Sequence, residues 1–423
     1  MSCLTQSTSA ARRLLGCSAV TSFSELGAPP GFLQSSAWRA ALALVVVFVM
    51  LAVTGWTGIR GTKGDTDPLG SSRAAWAGAT FHGHRLPDPA VGPHRIAAFF
   101  AKLRKADRLR LADRYPLAVG NMAGAPATLR YHANHRALDR ARAVAERRSH
   151  DARLTPEGRQ DAGRLMHRLE SLMRPGRQIL SFDPAAGGRA AEVFGDLTHA
   201  RRVSVVVPGV DTNLVNFERT RRADTAPVGM ASSLYGAERA ARPDARTAVI
   251  AWADYTAPAG IGVDAAAGQL AQAGAQRLTS MVGALPAGAD VSLFCHSYGS
   301  VVCGVAAREL PSRVGDIVVA GSPGMRARDA AALHTDARVW AMRDADDWIQ
   351  DVPYLELGGL GHGADPVDPA FGSRVLSAAG AEGHAGYFAH GTRSLANFAL
   401  VGVGAVAGVS CASDDGDCAA DLA

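Results

Sequence analysis

Runs of apolar and polar positions divide the chain into stretches of different texture. From Ala40 to Trp56 the residues are apolar and uncharged, over about the length a helix needs to cross a bilayer. This predicts a single-pass membrane anchor at 40–57 behind a polar tail at 1–39. Residues 58–95, rich in Gly, Pro, Asp and His, read as a linker. From Ile96 to about Arg174 the apolar positions recur at helical spacing, and Thr155-Pro156-Glu157 has the form of a helix start, an N-cap threonine before proline at the first helical position. A helical layer over 96–175 follows from this.

Beyond Gln178 short β-branched runs alternate with alanine-rich helical stretches, the pattern of a mainly parallel sheet with crossover helices on both faces. The predicted strands are Gln178–Phe182, Ala190–Phe194, Val203–Val207, Ala248–Trp252, Val291–Cys295, Ile317–Ala320 and Val339–Met342. Several are continuously apolar, as strands covered on both faces must be. The expected architecture is an α/β domain over 176–410, with a short tail at 411–423.

Composition sharpens this picture in a few places. With 48% hydrophobic and 20% charged residues the chain has the means to bury a core, which excludes disorder over most of its length. The formal charge of +5 is spread along the chain without an aromatic-interleaved basic stripe, so nucleic-acid binding is not expected. Six cysteines include no C-x-x-C pair, which argues against a zinc or dithiol redox site. Cys411 and Cys418 bracket a short polar loop and either close a small disulfide or remain free thiols. Basic residues flank the apolar span evenly, Arg12, Arg13 and Arg39 before it and Arg60, Lys63 and Arg73 after it, so they do not orient it. No small-x-small cleavage site follows the span, so an uncleaved anchor is expected over a signal peptide, with the domain on the extracytoplasmic side.

The sharpest chemical feature is residues 291–304, Val-Ser-Leu-Phe-Cys-His-Ser-Tyr-Gly-Ser-Val-Val-Cys-Gly. It reads as a buried strand, a tight turn holding Ser297, and a helix of small residues, the setting in which a nucleophilic serine is lifted above a sheet. Such a turn needs small neighbours two positions to either side. Gly299 meets the need on one side, and Cys295 stands on the other where glycine is usual. A serine nucleophile requires a base and an acid that orients it, following in the order Ser, acid, His. After Val339–Met342 comes Arg-Asp-Ala-Asp-Asp-Trp-Ile, 343–349, at the strand end where open α/β sheets place their sites. Asp347 is the expected acid, with Asp344 and Asp346 as alternatives. For the base, His384 lies in a glycine-flanked loop, with His390 as the alternative and His362 expected in the pocket wall. The backbone N–H groups of Tyr298 and of Val210, in the loop after Val203–Val207, are the expected oxyanion donors.

These residues resemble an actinobacterial family of α/β-hydrolases first catalogued as a domain of unknown function. The resemblance covers about Leu111 to Ala399. It rests on Pro116-Leu117-Ala118-Val119-Gly120-Asn121-Met122-Ala123-Gly124-Ala125-Pro126 with Arg130 and Ala133-Asn134, on Val-Pro-Gly-Val before Asn213, on Cys-His-Ser-Tyr-Gly, on Ala320-Gly321-Ser322-Pro323-Gly324, and on the final Gly-His-x-Gly-Tyr. It implies an α/β-hydrolase fold with Ser297, Asp347 and His384 as the triad, and it implies little about substrate. The expected activity is hydrolysis of carboxylic esters of small molecules or lipids through an acyl-enzyme, without cofactor or metal. The competing expectation is an inactive fold serving as a membrane-tethered binding module. Oligomeric state is left open by the sequence.

Overall fold

The computed structural model describes residues 67–413, 415 and 418–419. The apolar stretch at 40–57 lies outside the described residues, among which no helix is long and apolar enough to cross a membrane.

The predicted strands all form, each extended by a residue or more: β3 Gln178–Asp183, β4 Arg189–Gly195, β5 Arg202–Val207, β6 Thr247–Ala253, β7 Asp290–His296, β8 Val314–Ala320 and β9 Arg338–Met342. Thr80–Phe81 and His84–Arg85 are β1 and β2, and Glu356–Leu357 and Leu360–Gly361 are β10 and β11, each pair a separate two-stranded sheet. With a two-residue strand, β12 Arg374–Val375, the seven longer strands make an eight-stranded sheet in the order β12-β9-β8-β7-β5-β6-β4-β3. Pairing is parallel from β12 to β6 and antiparallel at β6–β4 and β4–β3. All seven residues of β6, Thr-Ala-Val-Ile-Ala-Trp-Ala, are buried, because helices cover both faces.

One face packs against helices Gln269–Gly283 and Tyr298–Ala306 through Ala271, Leu278, Val301 and Val302. The other packs against Pro227–Ala241, Arg393–Gly402 and the long helices Ala127–Ser149 and Pro156–Leu172, through Leu138, Leu169, Leu234 and Phe398. The second long helix starts as its sequence demands: the Thr155 side chain accepts from the Gly158 N–H, with Pro156 at the first position.

Within the stretch expected to be a linker, the described residues 67–95 are folded instead. Pro68–Ala77 is a helix and Thr80–Phe81 pairs with His84–Arg85 as a hairpin. Trp76, fully buried, anchors them. Its ring lies 6.2 Å from Phe99 and Phe100 and 5.7 Å from Tyr115, and its Nε1 donates to the Pro87 carbonyl at 2.7 Å. One aromatic and one leucine, Leu86, thus give a polar, proline-rich segment a core of its own with Ile96, Phe100 and Leu111.

Asn121 and Asn134, within the stretch that carries the family resemblance, close the sheet's outer edge. Asn121 pairs with both backbone groups of Phe182 on β3, accepting from its N–H at 3.0 Å and donating to its carbonyl at 2.7 Å. Asn134 donates to the Ile179 carbonyl at 2.9 Å. Edge groups that would otherwise template another strand are thereby occupied. At the far end the tail is tied back: Cys411 and Cys418 form a disulfide, and Cys411 bridges Leu376.

Candidate active site

Strand β5 sits where the connections reverse, with β6 on one side and β7 on the other. Open α/β sheets form their crevice at such a point, beyond the carboxyl ends of the strands. Two loops leave there: Ser297 follows β7, and Pro208-Gly209-Val210 follows β5.

Ser297 has φ 55° and ψ −128°, a conformation rarely adopted by residues other than glycine. The turn is forced by packing on both sides. A side chain at Gly299 would collide with the Val207 carbonyl, and a Cβ at Gly209 would lie 2.6 Å from the Ser297 Cβ. Where a small residue was expected to fit at 295, the structure shows more: Cys295 is bonded to Cys303, stapling the end of β7 to the helix behind the serine.

The Ser297 Oγ lies 2.8 Å from His384 Nε2, and His384 Nδ1 lies 2.8 Å from Asp347 Oδ1. An ionised carboxylate only accepts, so Nδ1 carries the proton and Nε2 is left bare to accept from the serine hydroxyl. Asp347 is wholly buried. Burial pushes its carboxyl up, but donation from His384, from Tyr387 and from the Ile349 N–H outweighs it, and the group sits below the ordinary carboxylate range. The Tyr387 hydroxyl donates to Oδ2 at 2.6 Å and accepts from the Asp344 N–H at 3.0 Å.

The alternatives fall into other roles. Asp344 accepts from the Gly383 N–H at 2.9 Å, holding the turn that presents His384. Asp346 makes no hydrogen bond to His384 among the described residues; its N–H donates to Asp344 Oδ2 at 3.3 Å. His390 faces Ser233 at 3.5 Å, and His362 packs edge-on against the Tyr298 ring as a wall residue. The N–H groups of Tyr298 and Val210 donate no hydrogen bond among the described residues. Tyr298 opens a helix, where a leading N–H has no intrahelical partner and can meet an anion.

Three contributors escaped the sequence reading. His296 is buried, and its Nε2 donates to the His384 carbonyl at 2.6 Å. Burial and the neighbouring His384 push its imidazole down to about 4, so it stays neutral. Trp348, half exposed, lies with its ring 4.7 Å from that of His384, at the mouth of the site. Tyr387 was visible only as the last residue of Gly-His-x-Gly-Tyr. Their positions beside Ser297, Asp347 and His384 were the available signal, and their partners are set only by the fold.

Residues 183–357 match the sequence profile of a family described as alpha/beta hydrolase. Two uncharacterized proteins of Mycobacterium tuberculosis, from strains CDC 1551 and H37Rv, are each 27% identical over 343 residues, spanning 68% of this chain and 51% of theirs. The chain therefore spans about half the length of the curated relatives it matches. Among solved structures, a dienelactone hydrolase of Anabaena variabilis aligns over 51% of this chain and 90% of its own at 16% identity and a TM-score of 0.31. A serine hydrolase without a lid from Xanthomonas campestris aligns over 41% and 74% at 15% identity and a TM-score of 0.28.

Proposed function

We propose that the chain, whose residues 183–357 match an alpha/beta hydrolase profile, is a serine hydrolase cleaving carboxylic esters through an acyl-enzyme on Ser297. His384 Nε2 takes the hydroxyl proton as Oγ attacks the ester carbonyl, and returns it to the leaving alcohol. Asp347 keeps the proton on Nδ1 and stabilises the imidazolium that forms. The oxyanion is received by the Tyr298 and Val210 N–H groups, with the helix N-terminus behind Tyr298 adding to the field. Water then attacks the acyl-enzyme by the same route in reverse.

The observation that carries this reading is the unbroken run of hydrogen bonds from Ser297 through His384 to Asp347, each of 2.8 Å. A decayed site has no reason to keep it. The two disulfides, Cys295–Cys303 and Cys411–Cys418, support placing the domain in an oxidising, extracytoplasmic compartment. The membrane anchor at 40–57 is proposed on sequence grounds alone.

A panel of p-nitrophenyl esters of rising chain length provides the test. We expect a pre-steady-state burst of nitrophenol followed by slower turnover, both abolished in Ser297→Ala. A folded wild-type chain that turns over none of the panel would favour the binding-module reading instead.

A further inference from the structure

A large hollow on the described surface is remote from the chemistry in sequence: a groove of about 1100 Å³ between the helical layer and the loops that follow β3 and β5. Its volume is at the upper end of ligand sites, roughly 300–1,000 Å³. Helix Ala127–Ser149 supplies one wall, with Arg140, Ala141, Val144 and Arg148 on a single face at helical spacing. Leu165 and Leu214 continue the apolar floor opposite. Few large hydrophobic side chains of the described surface are exposed, yet two of them, Val144 at 48% and Val215 at 36%, line this one groove.

The rim is cationic. Arg114, Arg140, Arg148 and Arg164 line it against a single carboxylate, Asp161, which pairs with Arg164. The other three have no carboxylate partner among the described residues. Arg140 donates to a backbone carbonyl, that of Asp113, and Arg114 lies over the Tyr115 ring. Asp151, whose charge Arg148 feels, is taken by both the Nε and an Nη of Arg153. An apolar trough edged by uncompensated guanidinium groups is complementary to an alkyl chain ending in an anion.

We propose that this groove is a second ligand site, taking a single-chain anionic amphiphile, a free long-chain carboxylate. The wall formed by Leu214, Val215 and Asn216 belongs to the same loop as Val210. The Asn216 side chain donates to the Asp211 carbonyl, one residue beyond the proposed oxyanion donor. An occupant therefore bears on the loop that receives the oxyanion, and since a fatty acid is what ester hydrolysis would release, the site is placed to report product. That regulatory clause rests on the proposed hydrolase activity, whereas the binding itself does not.

The test uses the full chain carrying Ser297→Ala, so that binding is read without turnover, with a dansyl-labelled undecanoic acid as the fluorescent probe. Dodecanoate is expected to displace the probe. The double variant Arg114→Glu/Arg148→Glu should weaken both by about tenfold or more, which is on the order of 1.4 kcal/mol, and leave dodecanol binding little changed. Ala141→Trp, which fills the trough, should weaken all three. Equal affinity in the reversed-charge variant would overturn the proposal, as would loss of the probe only when wild-type Ser297 carries a phosphonate, since that places it in the active site. Tight dodecyl phosphate binding with no response to dodecanoate would overturn the carboxylate assignment.

Discussion

Two carboxylates are buried at opposite ends of the same sheet and are shifted in opposite directions. Asp347, beyond the carboxyl end of β9, has three donors, His384, Tyr387 and the Ile349 N–H, and its carboxyl stays below the ordinary range. Glu238 lies near the amino ends of β5 and β6, where Ser204 and Thr247 are its hydroxyl partners. Burial pushes its carboxyl up to about 7, and the two hydroxyl bonds and the more distant charge of Arg202 recover only part of that. Burial alone does not decide whether an acid is charged. What decides is whether the protein supplies enough donors, and one able to become a cation, to replace the lost water. Asp347, at the end of the sheet carrying Ser297, is supplied in this way.

The contrast is sharpest in the isosteric amides. Asp347→Asn should lower kcat by about 10³–10⁴-fold, because the imidazole loses both its tautomer lock and its counter-charge, whereas Glu238→Gln should leave kcat within about twofold. Steady-state kinetics on one ester with both purified variants would read this, and comparable losses in the two would break the comparison.

Stability should show the reverse ranking. Glu238 has a folded pKa raised above its unfolded value, so its contribution is present at low pH and is lost as pH rises from the ordinary carboxylate range through about 7. His296 and His362, both pushed down to about 4, contribute stability that is present above about 6.5 and lost as pH falls. The opposing slopes overlap in the wild type. Glu238→Gln removes one of them, so its Tm should rise relative to wild type as pH increases from 5 to 8, by several degrees at the upper end. A Tm difference independent of pH would show that Glu238 is already charged in the folded protein.

A smaller effect is expected from Tyr387→Phe, which takes one donor from Asp347 and lets its pKa move back up. The lost hydrogen bond to a charged group is worth about 1.5–3 kcal/mol in a buried setting. We expect kcat to fall by about tenfold, with the fold retained by circular dichroism. An unchanged kcat would mean that two donors suffice.

Much of this was legible in the chain, and the parts that were not share a cause. The seven longer strands declare themselves by short, mostly apolar runs, several of them continuous, and Ser297 by lying between such a run and a helix of small residues. β12, two residues long, carries no periodicity to read. The segment at 58–95 reads as a linker because its polar residues outnumber Trp76 and Leu86, the pair around which its described part, 67–95, folds. Within the site, Asp344, Asp346 and Asp347 share one short loop, so which of them faces His384 depends on a turn that only the fold sets. The same holds for His384 against His390. The Cys295–Cys303 bond was missed because spacing in sequence does not reveal which thiols meet across a strand and the helix after it.

The central claim is that one hydroxyl, that of Ser297, is activated by His384. Exposing the intact chain to a fluorophosphonate and locating the adduct by peptide mass spectrometry tests it most directly. The account predicts a single adduct, on the peptide containing Ser297, that fails to form in His384→Ala. An adduct on another residue, or equal labelling of the folded His384→Ala chain, would contradict it.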